Sequence, residues 1–186
     1  MATVYTYLSG FKTGAGLEYP VVMRTGGLDL NDYRIQVEVK DDDEIAIGDL
    51  IMVDANNLAD ATAATGGEAV AIVEDSIRNK AVLEGHGLVP SKTVQFKDGD
   101  KIDVILLTSP MVLSMKCEGA VDMNVGSPVM SVAAGLVEYA AGITLTEATP
   151  NTLVATSDPR AIVGRTLTDV STQNGDNGYL AVKVSK

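Results

Sequence analysis

The residues best suited to chemistry in this chain are few, and their spacing argues against a catalytic centre. The one histidine, His86, stands between two glycines. A histidine works as a triad base only beside a nucleophile, and a single imidazole cannot make a histidine-rich metal site. His86 therefore reads as a turn residue. The one cysteine, Cys117, falls in phase with Leu113 and Met115. That phase fits a small buried core residue better than a nucleophile. A lone cysteine also forms no intrachain disulfide and no cysteine metal cluster. Asp41, Asp42, Asp43 and Glu44 form a carboxylate run. It lacks the glycine and the later bidentate glutamate of a calcium loop, so it reads as a solvated turn. The polar stretch 174–178 has oxygens for a cation, yet as a hairpin loop it needs none. There is no nucleophile elbow, no phosphate-cradling glycine loop with lysine and no zinc-protease motif. No catalytic, metal-binding or cofactor-binding residue is assigned, and no cofactor is expected. The residues point to a structural or binding role rather than an enzyme.

Composition points to the elements that carry these residues. The chain has 186 residues, of which 4% are aromatic and none is Trp. Small and β-branched residues supply the hydrophobicity, which suits many short strands. The formal net charge is −11. That excludes the basic stripes of nucleic-acid binders and attraction to anionic membranes. It suits solubility or a partner with basic patches. The N-terminal residues lack the basic and apolar regions of a secretory signal. No apolar run approaches the roughly 18 residues that a spanning helix needs.

Along the chain, residues 1–33 read as an extended N-terminal arm, which either reaches out to order on a neighbour or packs as strand and loop on its own core. Glycines at Gly10, Gly14 and Gly16 interrupt it, and four of the chain's aromatics, Tyr5, Tyr7, Phe11 and Tyr19, lie within it. Glycine disfavours both helix and strand. Tyrosine is a low-entropy anchor at interfaces. Tyr5, Tyr7, Leu8, Phe11 and Tyr19 are the candidate contact residues for an interface with a neighbouring subunit or partner. Residues 34–40 alternate strictly, with Ile35, Val37 and Val39 on one face, as in a half-buried strand. Gly48-Asp49 turns into an apolar strand at 50–53. The Ala-rich piece 58–64 reads as strand or loop, and 68–73 as another strand. Residues 74–81 have helical propensity and allow a single turn of helix, but read mostly as connection, and 82–89 reads as a strand broken by glycines. Residues 91–110 read as connecting strands, with a turn at Asp98-Gly-Asp100 and a strand at 101–107 buried on both faces.

The pattern from 34 onward then repeats. Seventy-eight positions on, Ile35 falls on Leu113, Val37 on Met115 and Val39 on Cys117. Ile47 falls on Val125, Gly48 on Gly126, Ile51 on Val129 and Leu58 on Leu136. Identities are few but the polar–apolar phase is kept. A one-residue slip in a strand inverts every side chain, so a kept phase carries weight. The second copy then has a loop about a dozen residues longer, after which Ala71-Ile-Val73 is set against Ala161-Ile-Val163. A final strand carries Leu180, Val182 and Val184. The expected organisation is an all-β chain of two duplicated small β-barrel or β-sandwich modules, at 34–90 and 111–186, behind the arm.

Within each copy a Gly-Asp or Gly-Ser-Pro turn opens an apolar strand, and an Ala-Ile-Val strand follows that closes with a polar loop. Over 48–83, and more fully over 126–184, these motifs resemble the β-modules of tailed-virus (bacteriophage) head decoration, or cement, proteins of the lambda-type decoration family. This chain departs from the small family type by carrying two modules. The resemblance implies a viral structural protein on the outside of an icosahedral capsid, assembled in the host cytoplasm. It implies a homotrimer that contacts the major capsid protein and clamps neighbouring capsomers. It also implies an N-terminal arm ordered on the shell, and no direct contact with nucleic acid or membrane. A second class remains open: a β-sandwich binding module of a virion tail or fibre that recognises protein or glycan. The low aromatic content counts against sugar stacking.

Overall fold

The computed structural model describes residues 20–40, 44–61, 69–116, 124–131, 137–139, 145–148, 152–155, 162–167 and 179–186. The described residues are mostly strand, with one short α-helix. In chain order the elements are β1 (Val22–Arg24), β2 (Arg34–Val39), β3 (Leu50–Val53), β4 (Leu58–Ala61), β5 (Ala71–Val73), α1 (Ile77–Gly85), β6 (Lys101–Leu106), β7 (Val112–Lys116), β8 (Pro128–Ser131), β9 (Val137–Tyr139), β10 (Leu145–Ala148), β11 (Thr152–Ala155), β12 (Ile162–Thr166) and β13 (Tyr179–Val184). Strands β2-β4-β3-β5-β6 close a five-stranded barrel. A six-stranded sheet runs β1-β7-β13-β12-β8-β9, and β10-β11 form a separate pair.

The duplication is visible in strand order and register. The first copy reads β2-β6-β5-β3-β4, and the second reads β7-β13-β12-β8-β9. Ile35 pairs with Val104 and Val37 with Ile102. Their counterparts 78 positions on pair in the same way, Leu113 with Val182 and Met115 with Leu180. The turn before the third strand is also repeated. Gly48 (φ 86°) and Gly126 (φ 91°) both occupy the left-handed region that glycine enters without steric cost. The Gly48 amide donates to Val73 O at 2.9 Å, and the Gly126 amide to Thr166 O at 2.8 Å. Asp49 Oδ2 accepts from the Ala46 amide at 2.7 Å, and Ser127 Oγ accepts from the Asn124 amide at 3.2 Å.

The register corrects one expected match. Ala71 pairs with Leu106 and Val73 with Val104, whereas Gly164 pairs with Val184 and Thr166 with Val182. The twin of 71–73 is therefore 164–166, three positions beyond Ala161-Ile-Val163. The offset grows from 78 to 93, so the longer loop holds 15 extra residues rather than about a dozen. The first copy is longer by the same amount between β5 and β6, and α1 occupies that insertion.

The helix is a second correction, because the sequence reads as connection over 74–81 and as a broken strand over 82–89. Ser76 starts the helix: its Oγ accepts from the Asn79 amide at 3.1 Å. Serine at this position satisfies an amide that the first turn leaves open. Arg78, Lys80, Ala81, Leu83 and Glu84 are good helix formers. Gly87 (φ 74°) follows the helix end. The apolar pair Val82–Leu83 lies on the face that packs inward, with Leu83 fully buried.

Three further expectations meet the fold. Residues 58–61 are a strand. The strand at 101–106, expected as a connector, belongs to the first barrel and is the twin of β13. Within 1–33, residues 20–33 are built into the fold: Val21 is fully buried, and β1 pairs antiparallel with β7. One continuous apolar core spans both copies, from Val37, Ile51 and Ile72 to Met115, Val129 and Val182.

Candidate functional site

The arm residues Tyr5, Tyr7, Leu8, Phe11 and Tyr19 lie outside the described residues, as do Cys117, Asp41 to Asp43 and 174–178. His86 lies just past the end of α1, and its Nε2 sits 2.9 and 3.0 Å from the two carboxylate oxygens of Asp100. Asp100 Oδ2 also accepts from the Lys97 amide at 2.8 Å. The imidazole thus ties the helix end to the 98–100 turn. Among the described residues, no three histidine, cysteine or carboxylate side chains come together in a way that would hold a metal ion. Among them too, no helix is long and apolar enough to cross a membrane.

The richest polar cluster sits where α1 lies on the outer face of β2 and β6. Asn79 is fully buried. Its Nδ2 donates to Glu74 O at 2.7 Å and Asp103 O at 2.8 Å, and its Oδ1 accepts from the Asp103 amide at 2.8 Å. Arg34 grips Glu74 with two bonds, Nε to Oε2 at 2.6 Å and Nη2 to Oε1 at 2.7 Å. That bond to Glu74, more than any other contact, raises the guanidinium pKa further. Ser76 Oγ bonds Asp103 Oδ2 at 3.0 Å. These groups satisfy one another, which is how a buried polar network fixes a helix on a sheet.

At the same spot in the second copy the chemistry is inverted. Arg34, Glu74 and Asp103 have the twins Val112, Leu167 and Ala181, which form a small apolar cluster with Met23 from β1. The first copy covers this face with a helix held by polar bonds. The second contacts the neighbouring strand β1 through apolar side chains.

A second pair of twin faces carries the clearest functional contrast. In the first barrel Val37, Ile102 and Val104 point inward, so the neighbours Leu50, Ile72 and Ile105 form a row on the outside. All three are fully buried, in the core that continues into Met111, Leu113 and Met115 of the second copy. At the edge of this face the two copies meet. Beside it the 46–49 turn is buried too, with Ile47 only 1% exposed. Lys116 of β7 reaches Asp49 there, Nζ to Oδ1 at 2.5 Å. Burial pushes the Asp49 carboxyl pKa up, and Lys116 opposes the rise.

In the second copy the matching face is open. The twins of Leu50, Ile72 and Ile105 are Pro128, Arg165 and Lys183. Arg165 and Lys183 are exposed, and Val125, the twin of Ile47, is 47% exposed. Arg165 and Lys183 stand directly opposite each other across the β12–β13 pairing. Among the described residues no carboxylate pairs with either. Like charges in facing positions destabilise a sheet, and this pair stands in a chain of net charge −11.

No protein-family model matches this chain, and no curated protein does.

The cationic pair was legible in principle. Carrying the 78-residue offset on to Ile105 lands on Lys183, an apolar-to-cation change at a repeated position. The match of 71–73 to 161–163 hid Arg165, because it set Ile72 against Ile162.

Proposed function

We propose that this chain is a decoration protein of a tailed-virus capsid, a homo-oligomer that binds the outer surface of the shell and braces contacts between units of the major capsid protein. The observation that carries this reading is the doubling. One five-strand framework is built twice, in the same order and register, around a shared core. The two copies differ in what they present outward: a helix on the first, an open cationic face on the second. That is the economy of a scaffold that offers repeated surfaces to a repeating lattice. Many weak contacts on such a lattice add up through local concentration. The decoration-type motifs over 48–83 and 126–184 favour the same reading.

The test is co-sedimentation with purified empty shells, with shell rupture under heat or low salt as the second readout. The expected result is saturable binding to the shell exterior and a higher rupture temperature. A protein that ignores shells and binds a glycan array belongs instead to the tail or fibre binding class.

A further inference from the structure

Charge is unevenly shared between the two copies. The chain holds 14 basic and 25 acidic residues. In the six strands of the β1-to-β9 sheet the balance is reversed: Arg24, Lys116, Arg165 and Lys183 are basic, and Glu138 alone is acidic. Lys116 is held by Asp49, and Glu138 sits on β9, two strands from Arg165. The other three cations share one rung. Arg24 pairs with Val112, Val112 with Lys183, and Lys183 with Arg165. Paired residues lie on the same face of a sheet. A register shift sets both Met23 and Arg24 opposite Val112. Met23 packs on the Val112 cluster, and Arg24 is exposed. Lys183 and Arg165 are exposed too, and among the described residues no carboxylate pairs with any of the three. Arg165 Nη1 donates to Gly126 O at 2.8 Å, beside exposed Val125. Neighbouring strands are about 4.8 Å apart, so the rung spreads three positive charges over roughly 14 Å.

The opposite charge is gathered at one end of the first barrel. Asp41, Asp42, Asp43 and Glu44 come next after Lys40 at the end of β2. Lys40 is held by Asp60 at 3.1 Å, and Glu38 faces Lys101 across β2 and β6, so those charges cancel. The run adds four carboxylates to them. Exposed Lys97 and exposed Asp98 stand in the adjoining turn, whose Gly99 amide donates to Val39 O at 3.0 Å. We infer that the run 41–44 of one chain docks on the rung of Arg24, Lys183 and Arg165 in a second copy of this chain. Laid out as an extended segment, four residues span about 10–13 Å, close to the width of the rung. A long polyanion such as nucleic acid fits less well, because a chain of net charge −11 repels it as a whole. Facing cations cost the isolated fold, and a neighbour's carboxylates remove that cost. Each exposed ion pair contributes little by itself, so the contact sets orientation and encounter rate and stays weak. Because the two docking surfaces differ, the association is head-to-tail and closes as a ring or continues as a filament. The inference deepens the self-association within the decoration reading and rests on that part alone, not on shell binding.

The experiment uses the full chain without shells. Analytical ultracentrifugation at high protein concentration and low salt should find self-association that weakens several-fold as salt is raised to about 0.5 M, since exposed charges are screened. Arg165→Glu/Lys183→Glu reverses the rung, and Asp41→Lys/Asp42→Lys/Asp43→Lys reverses the run. Each should be monomeric by itself, with circular dichroism as the check on folding. A chain that carries both reversals should associate again, because the lysines on its run meet the glutamates on the rung of the next copy. If a reversal misfolds, Arg165→Gln/Lys183→Gln and Asp41→Asn/Asp42→Asn/Asp43→Asn take its place, each expected to weaken association several-fold. A monomeric native protein overturns the inference even if it binds shells. So does an oligomer indifferent to either set of substitutions, or a folded chain with both reversals that stays monomeric. A rung variant that associates like the native chain but no longer binds shells assigns the rung to an acidic surface of the shell, and overturns the inference as well. A native oligomer that behaves as described but ignores shells leaves the inference standing and removes the decoration reading.

Discussion

Lys116 and Asp49 form an ion pair between the two copies of the module, with the ammonium 2.5 Å from Oδ1 and both side chains largely buried. Breaking a buried pair is costly because it strands a charge away from water. Asp49 is held above its ordinary value of 3.8, first by burial, with Lys116 opposing. A carboxyl raised in the folded state lends stability that is full below its unfolded pKa and lost as pH rises through the folded value. Lys116→Met removes the opposing cation and raises Asp49 further. We expect a loss of about 3–5 kcal/mol at neutral pH, shrinking as pH falls toward 4 and Asp49 takes up a proton. Urea melts at pH 4, 5.5 and 7 measure it. A loss of the same size at every pH would show that charge is not what the pair contributes.

Asn79 holds α1 to the first barrel. Asn79→Ala leaves the buried Asp103 amide without its acceptor and removes two donors from backbone carbonyls. Each buried group left unsatisfied costs about 1–3 kcal/mol. We expect a total near the upper end of that range. Hydrogen exchange should rise first in 76–86, while the β7–β13 pairing stays protected. Uniform exchange across both copies would mean that the helix is not a separable unit.

Much of the fold could be read from the sequence, for a physical reason. Strand side chains alternate, so Ile35, Val37 and Val39 and their twins Leu113 and Met115 announce the same inner face twice. The glycine turns at Gly48 and Gly126 are legible because their backbone needs a left-handed residue. The helix was legible only as propensity over 74–81, not as an element reaching Gly85. Its inward face is Asn79, Val82 and Leu83, a polar anchor with two apolar residues, and this gives no clear helical stripe. Register at β12 failed because Ala-Ile-Val is written in both copies, and identity outweighed phase. A slip of three residues inverts a strand, and the inversion placed Arg165 out of sight. The open face was missed with it.

Gly164 is a position where the second copy cannot take its twin's residue. Its counterpart is Ala71, yet a Cβ at Gly164 would overlap the backbone carbonyl of Lys183. Backbone cannot turn aside as a long side chain can. Gly164→Ala should lower stability by about 1–3 kcal/mol, and Gly164→Val by more. Thermal melts of the two variants, set beside Ala71→Gly in the first barrel, measure the asymmetry. An unchanged melting temperature for Gly164→Ala would mean that β12 and β13 separate more readily than their pairing indicates.

Arg165 and Lys183 should reveal themselves in stability. Removing one of two facing cations relieves repulsion, so Lys183→Gln should stabilise the monomer by about 0.2–1 kcal/mol. The gain should fade at high salt, where the repulsion is screened. Denaturation midpoints at 20 mM and 500 mM salt decide it. A loss of stability in Lys183→Gln would show that the two cations do not repel across the β12–β13 pairing.

The arm is the last point, and the fold says where to cut it. Val21 is fully buried, its amide meets Asp75 Oδ1 at 3.3 Å, and its carbonyl accepts from the Ser114 amide at 2.8 Å. A deletion that includes Val21 would remove core as well as arm. Deletion of residues 1–19 ends before that contact and removes Tyr5, Tyr7, Leu8, Phe11 and Tyr19. If those aromatics anchor the chain to a shell, the truncated protein should melt within a few degrees of the full chain and bind shells at least tenfold more weakly. Ordering a glycine-rich segment costs about 1–2 kcal/mol per residue in backbone entropy. The buried aromatics and strand pairing on the partner would have to exceed that cost. Loss of folding on truncation would assign the arm to the core. Unchanged shell binding would move the anchor to the described modules, with the cationic face of β12 and β13 as the next place to mutate.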